Sequence, residues 1–297
     1  NVLLSGDAGT NWSSIYTTIN SANLILKHTP EISFTNEATR NEVMANAYFL
    51  RAYCYFTLVR VFGDCPLLTS GFESEKQEDM YPSRTAASEV YAQVETDIEE
   101  ALRLMPASSK LLHKASPAAI NMLRTEYYLW KAKRLGGGNA ALSTAQSSVD
   151  AVLKAGYALL PTFADIFNLN NEANSELIWT LPYIVNENVT PGTSPNFFAY
   201  YLAPNGDRTR LREAGYTEDE VPAGSHAQYV VPTQAYCDFL AEDARDTRTD
   251  VSVRVFDDKF LTEEVQIKRM VVKFIGSFAN DTRSFDSDVP VYRLAEA

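Results

Sequence analysis

Phe197, Phe198, Tyr200 and Tyr201 crowd into five residues, with Asp207, Arg208 and Arg210 close behind. Flat rings beside a few charged hydrogen-bonding groups suit a sugar, which offers an apolar C–H face and a rim of hydroxyls. They suit equally a role in which half of the rings fill a small core of their own loops. The residues alone leave both readings open. The surrounding segment, residues 183–232, shows no sustained hydrophobic period. A structureless stretch of that length is uncommon in a compact domain unless it is functional or disordered, and its aromatic content argues against disorder.

Other residue types capable of chemistry are present without the spacing that chemistry needs. Acids gather at Asp238, Glu242, Asp243, Asp246 and Asp250, again at Asp257 and Asp258, and at Asp286 and Asp288. A glycosidase needs two carboxylates roughly 5–9.5 Å apart across a cleft. With 38 acids in the chain, nearness in sequence is poor support for that. Arg245 and Arg248, interleaved with the acids, point instead to surface ion pairs or a helix-end cap. Calcium is a minor option, since no EF-hand spacing occurs. His28, His113 and His226 are too scattered for a zinc site or a catalytic pair. Cys54, Cys65 and Cys237 are odd in number and widely spaced, which argues against a disulfide framework and against metal or redox chemistry. No nucleophile elbow or phosphate loop occurs, and the triple glycine at 136–138 reads as a helix-ending loop. No cofactor is implied.

The elements that must position any site are mostly helices. Apolar residues recur at steps of three and four over residues 11–28, with Asn23 as a polar exception on the apolar face. Asn36 is placed to cap a second helix whose stripe runs Val43, Ala47, Leu50, Cys54, Leu58, Val61. Gly63 suits the left-handed position that ends it, and Pro66 prevents its resumption. Residues 68–83 read as a polar loop. Further helices are expected over 83–105, over 117–134 after Ser116-Pro117, and over 140–154 before Gly156. Consecutive helices with short links are the pattern of stacked α-hairpins, although no clean 34-residue repeat is present. Residues 177–182, LIWTLP, read as a short buried strand, and a helix follows over 233–243.

The net charge of −12 disfavours a nucleic-acid partner, and no apolar run approaches the ~18 residues of a membrane span. The first residue is Asn1 and the last residues, VYRLAEA, look like the first turns of a helix cut short. The expectation is a piece of a longer protein lacking both termini.

The least ordinary stretch is FLRAYCYFTLVRVFGDCPL, residues 49–67. It resembles the hallmark helix of the SusD/RagB family of outer-membrane nutrient-binding lipoproteins, FLRAxxYFxLVxxFGDVPL. The segment from Trp12 through Ile15, Tyr16 and Ile19 to Ala22 and Asn23 is similar to the preceding helix of that family. Arg84, Glu89, Val90, Tyr91 and Asp97 keep step with its next segment. Gly156-Tyr157, Asp165-Ile166-Phe167 and Asn174-Ser175-Glu176 follow its later motifs in order. Asp246-Thr247-Arg248 matches its D-P-R with Thr for Pro, and residues 289–296 match the segment that opens its last helical repeats.

The resemblance implies a mainly α fold: a tetratricopeptide-like helical-hairpin scaffold with an irregular loop-rich subdomain and a few short strands. It divides as scaffold over 1–160, a loop-rich ligand-binding subdomain over 161–232, and a return to scaffold over 233–297. The implied role is non-enzymatic. The protein would capture an oligosaccharide at the cell surface and deliver it to a TonB-dependent transporter of the SusC kind. A lipid anchor outside this chain would hold it to the outer membrane. The family draws ligand-binding aromatics from the region of Phe197–Arg210, although its members do not share positions there. Trp12, Trp130 and Trp179 all fall in regular elements, and glycan binders of the family often use a Trp platform, so a peptide ligand of the RagB kind stays open. A helical glycoside hydrolase and a pure interaction scaffold stay open as well. Arg51, set among apolar positions, needs buried carbonyl or carboxylate partners.

Overall fold

The computed structural model describes residues 11–74, 82–184, 213, 215, 217, 232–255, 269–271, 273, 276–279, 282–284 and 286–297. The chain is mainly helical and forms two compact units, one of Asn1–Tyr157 with Glu296–Ala297 and one of Ala158–Ala295.

The first unit holds α1 (Ser13–His28), α2 (Glu37–Phe62), α3 (Ala87–Leu104), α4 (Pro117–Arg134) and α5 (Gly138–Leu153). The chief packings are α1 on α2, α2 on α3 and α4 on α5, the expected succession of hairpins. Asn36 caps α2 by accepting from the Ala38 N–H at 2.8 Å, and Ser116 caps α4 at Ala119 at 3.1 Å, with Pro117 following. Phe49, Tyr55, Phe56 and Leu58 lose all exposure in α2. Burying such a side chain stabilises by about 1.5–3 kcal/mol, so this helix anchors the unit from several faces at once. Val61, which lies on the stripe expected to be inward, is 63% exposed at the last turn.

Arg51 is buried and finds the partners its position demands. Its Nε and Nη2 donate to the two oxygens of Asp97 at 2.8 and 2.6 Å, and Nη1 donates to Asn23 Oδ1 at 2.7 Å. Asn23 in turn donates to the Leu68 and Ser70 carbonyls at 2.9 and 3.3 Å. Gln93 adds a third donor to Asp97 at 2.8 Å. Burial alone would lower the Arg51 value, but the hydrogen bonds and charge of Asp97 raise it and keep the guanidinium charged.

The connection after α2 forms a strap along α1. Asn20 pairs with Phe72 as a strand would, donating to its carbonyl at 3.0 Å and accepting from its N–H at 2.7 Å. Tyr16 donates to the Pro66 carbonyl at 2.7 Å. Lys27 and His28 clasp Glu73 at the far end.

Gly63 has φ 68° and ψ −128°, so it takes the positive φ expected of it but lies outside the left-handed helical basin. Asp64, the next residue, reaches across the loop. Its Oδ1 accepts from the Ala87 N–H at 2.9 Å, at the start of α3. Ala86, the residue at the cap position of α3, makes no side-chain cap, and an uncapped first turn leaves backbone donors unsatisfied. Thr85, held by an antiparallel bridge to Cys65, is not free to join the helix, so α3 begins at Ala87 and not at Ser83, where the sequence pattern places its start.

In the second unit, α6 (Phe163–Ile166) leads to β1 (Leu177–Leu181), which pairs antiparallel with β6 (Val289–Arg293). Residues 291–297, expected to open a helix, instead give the end of this strand and a 3₁₀ turn at Leu294–Glu296. Pairing with β1 overrides a periodicity too short to specify a helix. Glu176 is the buried anchor here. It accepts from the Leu160 N–H at 3.0 Å and lies 3.6 Å from Arg293 Nη1. Asn174 ties the same turn by donating to the Ile166 and Asn171 carbonyls at 3.2 and 3.0 Å. The unit also contains α7 (Gln234–Ala241), α8 (Thr249–Ser252), and the antiparallel pairs β2 (Val253–Val255) with β3 (Arg269–Val271) and β4 (Ser277–Ala279) with β5 (Thr282–Ser284).

Candidate functional site

The seven residues that the sequence nominates for ligand contact, Phe197, Phe198, Tyr200, Tyr201, Asp207, Arg208 and Arg210, lie outside the described residues. The structure does describe both ends of the segment that carries them. On the outgoing side, Asp288 accepts from the Tyr183 N–H at 3.1 Å and from Thr180 Oγ1 at 3.3 Å, which pins the chain just beyond β1. On the returning side, Thr233 caps α7 by accepting from the Tyr236 N–H at 3.2 Å.

Helix α7 is two-sided. Cys237 and Leu240 point inward and pack with Val253, while Tyr236 and Phe239, each one residue earlier, face out and are 48% and 62% exposed. Phe239 lines a surface cleft of about 540 Å³ whose remaining walls are Glu242, Asp243, Arg245, Asp246 and Arg248.

The polar wall of this cleft is one device built twice. In Asp243-Ala244-Arg245, Asp243 Oδ1 accepts from the Arg245 backbone N–H at 2.9 Å, and the carboxylate takes Arg245 Nε and Nη2 at 2.9 and 2.7 Å. In Asp246-Thr247-Arg248, Asp246 Oδ1 accepts from the Arg248 N–H at 3.0 Å and from its Nε at 2.8 Å, and Nη2 closes the fork. Hydrogen bonds from Arg248 hold the Asp246 carboxyl down at about 2, and those from Arg245 lower Asp243. These are the surface ion pairs that interleaved acids and arginines suggest. Thr249 Oγ1 donates to the Leu240 carbonyl at 2.6 Å and ties the far end of the double clamp back to α7.

Sequence reasoning misses Tyr236 and Phe239, although their signal is there: two aromatics three apart, out of phase with the inward Cys237 and Leu240. Among the described residues no group of three or more His, Cys, Asp or Glu could hold a metal ion. No helix among them is long and apolar enough to cross a membrane.

One unit is built of helical hairpins and the other of short helices and strand pairs, and known proteins share this arrangement. Residues 4–128 match a SusD-like family described as starch-binding and associating with the outer membrane. SusD-like protein P25 of Formosa agariphila is 28% identical over 179 residues, covering 58% of this chain and 31% of that protein. Among solved structures, B. fragilis NanU superposes with a TM-score of 0.79 at 26% identity, over 96% of this chain and 59% of that one. A laminarin binding SusD-like protein superposes with a TM-score of 0.75 at 21% identity, over 96% of this chain and 64% of that one. The chain is thus similar to SusD-like proteins in sequence over its first half and in fold over most of its length. It spans about a third of the curated relative's length.

Proposed function

We propose that this chain captures an oligosaccharide at the cell surface and delivers it to a TonB-dependent outer-membrane transporter of the SusC kind, without bond chemistry. The observation that carries the reading is the SusD-like fold over 96% of the chain, in a family described as starch-binding. In this reading a lipid anchor holds the protein to the outer membrane, residues 1–160 and 233–297 serve as scaffold, and residues 161–232 bear the ligand. Phe197, Phe198, Tyr200 and Tyr201 supply stacking faces, while Asp207, Arg208 and Arg210 bond hydroxyls. A peptide ligand is the second reading. It is favoured by the placing of Trp130 in α4 and Trp179 in β1, and of Trp12 at the start of α1.

The test is native affinity electrophoresis of the purified protein through gels containing starch, laminarin and other neutral polysaccharides. Retardation by one of them, lost in Tyr200→Ala/Tyr201→Ala, is the expected result, with no new reducing ends on incubation. Absence of retardation, with heat released on adding a mixed-peptide pool, would move the ligand to peptides.

A further inference from the structure

We propose that the Phe239 cleft is a subsite for a neutral sugar ring, stacked on Phe239 and bonded at its hydroxyls by the Asp243–Arg245 and Asp246–Arg248 clamps. The assignment rests on the glycan reading and names a surface that reading does not use.

An outward Phe beside an outward Tyr on one helix is an apolar face set in water, the kind of surface that marks a contact site. A single flat ring rimmed by hydrogen-bonding groups matches a pyranose, whose axial C–H bonds offer an apolar face and whose edge carries hydroxyls. The clamps are held in place before any ligand arrives. Each arginine is fixed by its own aspartate through side chain and backbone, and Thr249 fixes the segment's end.

The charge decides between ligand classes. Both guanidiniums already face carboxylates, and the lining has three acids, Glu242, Asp243 and Asp246, against two bases. A phosphate, sulfate or uronate would meet net negative charge. A metal cation would have to expel an arginine from its aspartate. An uncharged polyhydroxyl ring disturbs neither pair, since guanidinium and carboxylate both keep capacity to bond hydroxyls beyond their mutual contacts.

The experiment is affinity electrophoresis of the purified protein in gels of starch, of laminarin and of polygalacturonate, comparing the wild-type protein with Phe239→Ala, Phe239→Trp and Arg248→Gln. Phe239 is exposed, so its replacement leaves the core intact, and circular dichroism checks this. The expected result is retardation by a neutral glucan that weakens at least about tenfold in Phe239→Ala, weakens in Arg248→Gln, and persists in Phe239→Trp. Retardation unchanged in Phe239→Ala overturns the subsite and leaves the glycan reading standing. Equal or stronger retardation by polygalacturonate overturns the neutral-ring assignment. Absence of retardation of the wild-type protein in every gel overturns the glycan reading, and the subsite with it.

Discussion

Arg51 and Asp97 meet in a two-pronged pair, at 2.8 and 2.6 Å, with Asp97 wholly shielded from water. They lie 46 residues apart on α2 and α3, and Asn23 of α1 completes the node. Every residue of it falls in a stretch that resembles the family's motifs, so the polar members of those motifs hold three helices together.

Removing one partner leaves the other charge buried and uncompensated. Arg51→Met is expected to destabilise the protein by about 3–5 kcal/mol in urea unfolding. Arg51→Met/Asp97→Leu is expected to cost clearly less than the sum of the single changes. Additive single effects would show that the pair is not coupled.

Asn20→Ala removes the amide that pairs with both backbone groups of Phe72. The expected cost is about 1–3 kcal/mol, the penalty for leaving such groups unsatisfied. Amide exchange at Phe72 is expected to accelerate more than exchange in α1. Unchanged exchange at Phe72 would mean that the strap is held by other contacts.

The clasp at His28 gives a signed pH dependence. Hydrogen bonds donated to Glu73 and then to Glu31 raise His28 above its ordinary 6.5. Bonds from Lys27 and His28 lower Glu73 below its ordinary 4.5. The His28 contribution is complete below 6.5 and fades as pH rises through the raised value. The Glu73 contribution is present above 4.5 and fades as pH falls through the lowered value. The urea midpoint difference between wild type and His28→Gln is therefore expected to be greatest between those two ordinary values, and to vanish in alkali. An imidazole titration at or below 6.5 by NMR would contradict the clasp.

Cys54, Cys65 and Cys237 are buried, and none of them forms a disulfide among the described residues. Burial pushes the Cys54 thiol up to about 12, where almost no thiolate forms at neutral pH. In the native protein none of the three is expected to react with a disulfide reagent, and all three should react in urea. Rapid labelling of Cys54 in the native state would show that α2 opens locally.

The long helices were legible because their apolar spacing and punctuation agree. Asn36, Ser116-Pro117 and the Gly136–Gly138 run set boundaries that the structure keeps to within a few residues. The need of Arg51 for a buried partner was legible from its neighbours, but which acid answers depends on how α3 lies against α2. The bond from Asp64 to Ala87 was not legible, since a residue beside a turn glycine usually bonds nearby backbone, whereas this one finds α3. Residues 291–296 misled because so short a run cannot separate a helix from a strand completed by a distant partner. Phe239 was hidden by the acids around it, which drew attention to charge and away from the ring.

The bond from Asp64 to Ala87 makes the end of one helix the beginning of another. A chain divided between these two residues and supplied as two pieces would leave the second piece without its initiating acceptor and the first with an aspartate facing water. Such halves should associate poorly, and a circular permutant opened there should mature slowly, because α3 can complete its first turn only once Asp64 has been brought to it across 23 positions of chain. Cuts placed after Gly136, where the loop between α4 and α5 is local, carry no such delay.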